Sequence, residues 1–153
     1  MNEYAITVWG KPFGKQRPRV VRGGRAFTPK KTIDYENMIA WEWTAKYGGK
    51  PIDAVGFELF VYCCFLPPKS ISKKKKQLML EGAIPYTKKP DCDNVVKIIG
   101  DALNGIAWHD DSQIVTCHAM KVYRPYQCVK IVVKSVTGVN QQLLNDIDAL
   151  DKE

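Results

Sequence analysis

No stretch of the 153-residue sequence approaches the ~18 consecutive apolar residues that a membrane-spanning helix requires. Its start, Met1-Asn2-Glu3-Tyr4, lacks the basic-then-apolar pattern of a secretory signal, so a cytoplasmic protein with no membrane partner is expected. Histidine is scarce: His109 and His118 stand alone, and none of Cys63, Cys64, Cys92, Cys117 and Cys128 forms a Cys-x-x-Cys pair. That combination argues against zinc and favours reduced thiols in a reducing compartment. A phosphate-cradling Walker loop is also missing, because Gly10-Lys11-Pro12-Phe13-Gly14-Lys15 carries a proline and no Ser or Thr after its lysine. Nothing in the sequence supports a serine or cysteine nucleophile paired with histidine. Acid, finally, is absent where base is densest: the segment from Lys11 to Lys31 holds eight basic residues and no Asp or Glu.

What is present is a segregated charge pattern on a chain of net charge +7. Lys11, Lys15, Arg17, Arg19, Arg22 and Arg25 make one basic block, followed by Lys30 and Lys31. Lys73, Lys74, Lys75 and Lys76 make a second, and Lys88 and Lys89 a third. The acids gather between Asp91 and Asp111 and again after Asn145. Basic arms around an acidic centre fit a polyanionic partner, and DNA contact is expected from these three blocks. For the Lys73–Lys76 run the competing reading is a solvated helix face.

The chain is short enough for one domain and long enough for a proper core. Tyr4–Trp9 reads as a strand, and Val20–Phe27 as a small hairpin turning at Gly23-Gly24. Thr28 is expected as N-cap with Pro29 in the first turn of a helix that ends at Gly48-Gly49. A long strand from Ala54 to Leu66 follows, then a short helix capped by Ser72 and an extended segment to Pro90. Asn94–Asn104 has the apolar spacing of a helix. Gln113–Tyr123 and Cys128–Val136 read as strands joined as a hairpin by Arg124-Pro125-Tyr126-Gln127, and Leu143–Leu150 as an acidic terminal helix or tail. This order predicts an α/β fold, a single-domain mixed β-sheet with helices packed on it, spanning 1–138 with a tail over 139–153.

The acidic centre opens with Lys89-Pro90-Asp91-Cys92-Asp93-Asn94, where free backbone N–H groups at a helix start favour negative charge. An N-cap role for Asp93 would explain one aspartate and leave Asp91 over. Asp93, Lys97 and Asp101, four residues apart, share one helical face away from the apolar stripe. Trp108-His109-Asp110-Asp111-Ser112-Gln113 adds a second carboxylate pair, with His109 read as an exposed loop residue. Asp91, Asp93 and one of Asp110 and Asp111 are the oxygen donors a hard cation such as Mg²⁺ takes, alongside water and phosphate oxygens. The chemistry that fits is metal-assisted phosphodiester hydrolysis. Lys97 would stabilise charge on the phosphate or protonate the leaving oxygen; its alternative is a helical salt bridge to Asp93 or Asp101.

These motifs, with the Gly-x-Pro…Lys-Gln-Arg-Pro-Arg loop and the Thr-Pro helix start, resemble the RusA family of Holliday junction resolvases from about Ile6 to Lys121. The resemblance implies a homodimeric endonuclease that makes paired symmetric nicks in four-way DNA junctions with Mg²⁺ or Mn²⁺. It implies Asp91, Asp93 and Asp111 as metal ligands and catalytic residues, with Lys97 as the catalytic lysine. The Trp-x-Asp-Asp anchor selects Asp111 over Asp110, which takes a supporting role with Asp101. The alternatives are a nuclease directed at flaps or forks and a non-catalytic protein that binds branched DNA.

Overall fold

The computed structural model describes residues 2–152. It contains, in chain order, β1 (Glu3–Trp9), β2 (Arg19–Val20), β3 (Ala26–Phe27), α1 (Lys30–Tyr47), β4 (Gly56–Phe65), α2 (Lys73–Leu80), α3 (Cys92–Leu103), β5 (Ile114–Tyr123), β6 (Cys128–Val136) and α4 (Gln141–Ala149). The main sheet runs β1-β6-β4-β5, and β2 and β3 form a separate ribbon. β6 is antiparallel to both neighbours, whereas β5 lies parallel to β4, so the sheet is mixed as expected.

Side-chain alternation divides the sheet into two unlike faces. Ile6 and Val8 of β1, Leu59 and Val61 of β4, and Ile131 and Val133 of β6 are buried on one face. That face carries the helices, through Tyr35, Ile39 and Trp43 of α1 and Val95, Ile98 and Ile99 of α3. The opposite face presents Phe60, Tyr62 and Val132, all half-buried, beside exposed His118. Tyr47 ends α1 by accepting the Ala5 N–H at 2.7 Å and donating to the Ala5 carbonyl at 3.0 Å, which ties helix to strand.

Three local expectations need correction. The residues expected to form a β5–β6 hairpin do not pair, because β4 lies between the two strands. β4, two helices and β5 form a crossover unit, and such a connection brings its strands together in parallel. The N-cap of α1 is Pro29, with no side-chain bond to the first turn, so Thr28 lies one residue outside. The motif helix starts at Cys92, two residues before Asn94; Asp91, not Asp93, occupies the N-cap position, and it too makes no side-chain cap bond. Among the described residues no helix is long and apolar enough to cross a membrane.

Candidate active site

α3 positions the acidic centre because its apolar stripe fixes the helix's rotation on the sheet. Val95, Ile98, Ile99, Ala102 and Leu103 are buried, which turns Asp93, Lys97 and Asp101 away from the core. Asp91 and Asp93 are both exposed at the helix N-terminus, Asp93 within the first turn, where the free N–H groups offset their charge. Just before them the Lys89–Pro90 peptide is cis. The Lys89 ammonium reaches both Asp91 oxygens, at 3.0 and 3.1 Å, on a side chain that is 85% exposed. Such an exposed pair contributes little stability and can be exchanged readily.

The loop after β1 closes over this helix start. Gly14 approaches so near that a Cβ there would stand 2.9 Å from Pro90 Cβ and 3.1 Å from Asn94 Cβ. The next residue, Lys15, donates its backbone N–H to the Asn94 carbonyl at 2.8 Å. A cavity of about 490 Å³ lies between the loop and the motif, lined by Lys11, Lys15, Gln16, Lys89 and Asn94 among others. Gly14→Ala is therefore expected to lift the loop, at the ~1–3 kcal/mol typical of overpacking. Chemical denaturation should show that loss for Gly14→Ala and not for Gly49→Ala, whose added Cβ meets only a Thr44 methyl at 3.8 Å.

Lys15 is itself engaged by carboxylates. Its ammonium lies 3.1 Å from Asp101 and is hydrogen-bonded to Glu36 of α1, so one lysine ties α1 to α3. Partial burial pulls its pKa down, but the bonds and charges of Glu36 and Asp101 outweigh this and hold it above 10.5. The stabilisation is full below that ordinary value and fades only as pH rises through the folded one. Asp101 also pairs with Lys97, at 3.4 Å one helical turn back. Asp101 is thus a hub between two lysines, and Lys97 remains 64% exposed.

The second carboxylate pair divides into two roles. Asp110 caps the short 3₁₀ turn Asp111–Gln113, accepting the Ser112 N–H at 3.0 Å. The side-chain and backbone hydrogen bonds from Ser112 lower its pKa below 3.8, so this cap is lost only as pH falls through that depressed value. Gln113 locks the loop by accepting from the His109 and Asp110 N–H groups and donating to the Ala54 carbonyl. Asp111 instead turns inward and accepts the indole N–H of fully buried Trp108 at 2.7 Å. It stands over Gly100 and lines a cavity of about 160 Å³ with Lys97. Gly100 is seven residues beyond Asp93, about 10 Å along the helix axis. Asp91 and Asp93 thus stand at the N-terminus of α3, and Asp111 beside Lys97 and Gly100 further along it. Among the described residues no three Asp, Glu, His or Cys side chains are grouped to hold one cation.

A family model described as "Endodeoxyribonuclease RusA" matches residues 10–134, from the basic loop through most of β6. The chain belongs to the RusA family of endodeoxyribonucleases. It is also 33% identical over 137 residues to a Bacillus subtilis (strain 168) protein described as "Uncharacterized protein YqaN", covering 87% of this chain and 96% of that one. RusA membership makes the chain a nuclease of the Holliday-junction-resolving class acting in DNA recombination. The matched region takes in every element that builds the site, and α4 lies outside it.

The basic residues of this RusA-family chain fall into distinct groups. Lys11, Arg17, Arg19, Arg22, Arg25, Lys88 and Lys89 are exposed. So are Lys73–Lys76 on α2, whose N-cap Ser72 accepts the Lys75 N–H at 3.2 Å. Sequence reasoning did not single out Lys121 of β5, Tyr86 or Glu36. Lys121 left one legible sign: it occupies an inward strand position between Ala119 and Tyr123, where a lysine must find acceptors. Glu36 is engaged only through tertiary contact with Lys15 and left none.

Proposed function

We propose that the chain resolves four-way DNA junctions as a homodimer, cutting two strands symmetrically by hydrolysis at sites built on Asp91, Asp93, Lys97 and Asp111. The observation that carries this reading is the pair of exposed carboxylates, Asp91 and Asp93, at the N-terminus of α3 beside a groove lined by Lys11, Lys15 and Lys89. Their chemistry fits Mg²⁺ or Mn²⁺, since a hard cation takes one or two carboxylates and fills its sphere with water and phosphate oxygens. When bound, the cation supplies charge neutralisation at the phosphodiester and activation of the attacking water.

Asp91 and Asp93 would hold the cation, and Lys89, released from Asp91, would pair its ammonium with a DNA phosphate. Lys97, exposed and one turn beyond Asp93, meets the charge that builds on the scissile phosphate or protonates the leaving oxygen. Asp111, which shares a cavity with Lys97, is the third acid of the set, and Asp101 restrains Lys97 through their ion pair. Lys11, Arg17, Arg19, Arg22 and Arg25 hold one stretch of backbone, and Lys73–Lys76 and Lys88 another; Lys15 contributes through its link between the loop and α3. Two such sites related by a two-fold axis give the paired cuts. Residues 1–138 form the catalytic unit, working on cytoplasmic DNA, with α4 as an appendage.

The test is a mobile four-way junction labelled on each strand, alongside fork, flap and duplex substrates, with sedimentation of the protein alone and on the junction. Paired nicks at symmetric positions in Mg²⁺, none in a chelator, and a dimer are expected. Preference for forks or flaps would move the assignment to another branched substrate. Metal-independent binding with no product on any substrate would overturn catalysis altogether.

A further inference from the structure

The segment that delivers Asp91 is held from below by two side chains with no part in the proposed chemistry. Lys121, on β5, donates to the Lys88 carbonyl at 2.7 Å and to the Pro90 carbonyl at 3.0 Å. Tyr86 donates its hydroxyl to the Lys89 carbonyl at 3.0 Å. The Lys88 and Pro90 carbonyls are therefore tied to the sheet through Lys121, and the Lys89 carbonyl between them to Tyr86. The anchors are rigid. Tyr86 is buried, stacks on Phe65 of β4 at 3.7 Å and 8°, and meets Tyr123 of β5 edge-on at 5.1 Å. The Lys121 ammonium also lies 5.4 Å from the centre of the Tyr86 ring.

We infer that Lys121 and Tyr86 are positioning residues for Asp91, fixing the backbone from Lys88 to Pro90 so that the carboxylate stands ready at the start of α3. The inference rests on the reading of Asp91 as a cation ligand. Packing alone would be served by an apolar residue at position 121, inward-facing between Ala119 and Tyr123. A lysine there carries a charge that must be satisfied, and it spends that charge on backbone carbonyls. Neither oxygen of Asp91 is consumed by it, in contrast with Lys89, whose contact competes directly with any cation. Supporting shells of this kind hold metal ligands in place, and their loss typically costs about 10–100-fold in metal affinity.

Lys121→Met keeps the length of the side chain and removes the ammonium, while Tyr86→Phe keeps the aromatic stack and removes only the hydroxyl. Mn²⁺ binding by electron paramagnetic resonance, amide hydrogen exchange and thermal melting would be measured for both, with Asp91→Asn as reference. For Lys121→Met we expect Mn²⁺ affinity to fall about 10–100-fold. Exchange should quicken at Lys88, Lys89 and the Asp91–Asp93 amides, with nicking recovered at raised Mn²⁺; Tyr86→Phe should show a smaller effect of the same sign. Unchanged Mn²⁺ affinity and unchanged exchange in both variants would overturn the inference. So would faster exchange spread over the whole sheet with a lowered melting temperature, which would mark Lys121 and Tyr86 as ordinary structural residues. If wild type and Asp91→Asn bind Mn²⁺ equally, the reading of Asp91 as a ligand fails, while local exchange still decides whether Lys121 fixes the segment.

Discussion

Asp91→Asn should remove nicking of a four-way junction while leaving junction affinity equal or higher. The substitution keeps size and hydrogen-bonding shape but deletes one of two charges that face the cation. Its loss should exceed the ~100-fold that removing an outer partner costs a metal site, because a ligand itself is lost. Stability should hardly move, since Asp91 makes no side-chain cap bond and its contact with Lys89 is solvent-exposed. Affinity is preserved or improved because phosphates no longer approach two bare carboxylates. Rates on a labelled junction and gel-shift affinity in a chelator check the two halves separately. Metal-dependent cleavage at the wild-type rate in the variant would sink the assignment of Asp91.

Asp111 calls for a pair of variants, because its carboxylate serves a buried indole as well as the proposed chemistry. Asp111→Ala leaves the Trp108 N–H without an acceptor in a site where the ring is fully buried. An orphaned buried donor costs about 1–3 kcal/mol. In a chain of this size each kcal/mol lowers the melting temperature by roughly 2–4 °C. Asp111→Asn keeps an acceptor oxygen in place and should melt close to wild type. Both variants should lose nicking if the negative charge is needed. An asparagine variant that cuts normally would confine Asp111 to holding Trp108, and an alanine variant that melts normally would remove even that role.

The motif helix was readable because its apolar residues recur at helical spacing, and that stripe alone fixes which face carries Asp93, Lys97 and Asp101. The small hairpin was equally legible in Gly23-Gly24, both of which adopt positive φ. Strand partnership was not. Arg124-Pro125-Tyr126-Gln127 is a plausible hairpin turn locally, but pairing depends on what else competes for the strand edge. β6 is buried at Cys128, Val129, Ile131 and Val133, as suits an inner strand, while β5 exposes Val115, Cys117, His118 and Met120. That difference in apolar density marks β5 as an edge, and it outranks the turn. Asp111 follows α3 closely in sequence, and the chain doubles back so that it returns beside Lys97 and Gly100, which the linear order does not announce. Lys15, one of several loop bases in the sequence, takes its partners from α1 and α3, which no local pattern announces.

The position of β1 has a bearing on how the protein is made. Among the described residues its one neighbour in the sheet is β6, with Tyr4 opposite Val133 and Trp9 opposite Cys128. On a nascent chain β1 therefore stays unpartnered until β6, far along the sequence, has been made. Contacts so distant in sequence are slow to form, and an open strand edge in the meantime is a site for unwanted pairing. The sheet beneath Asp91, Lys121 and Asp111 is closed only once β6 has joined β1 to β4, so the two halves of the sheet wait on a single strand.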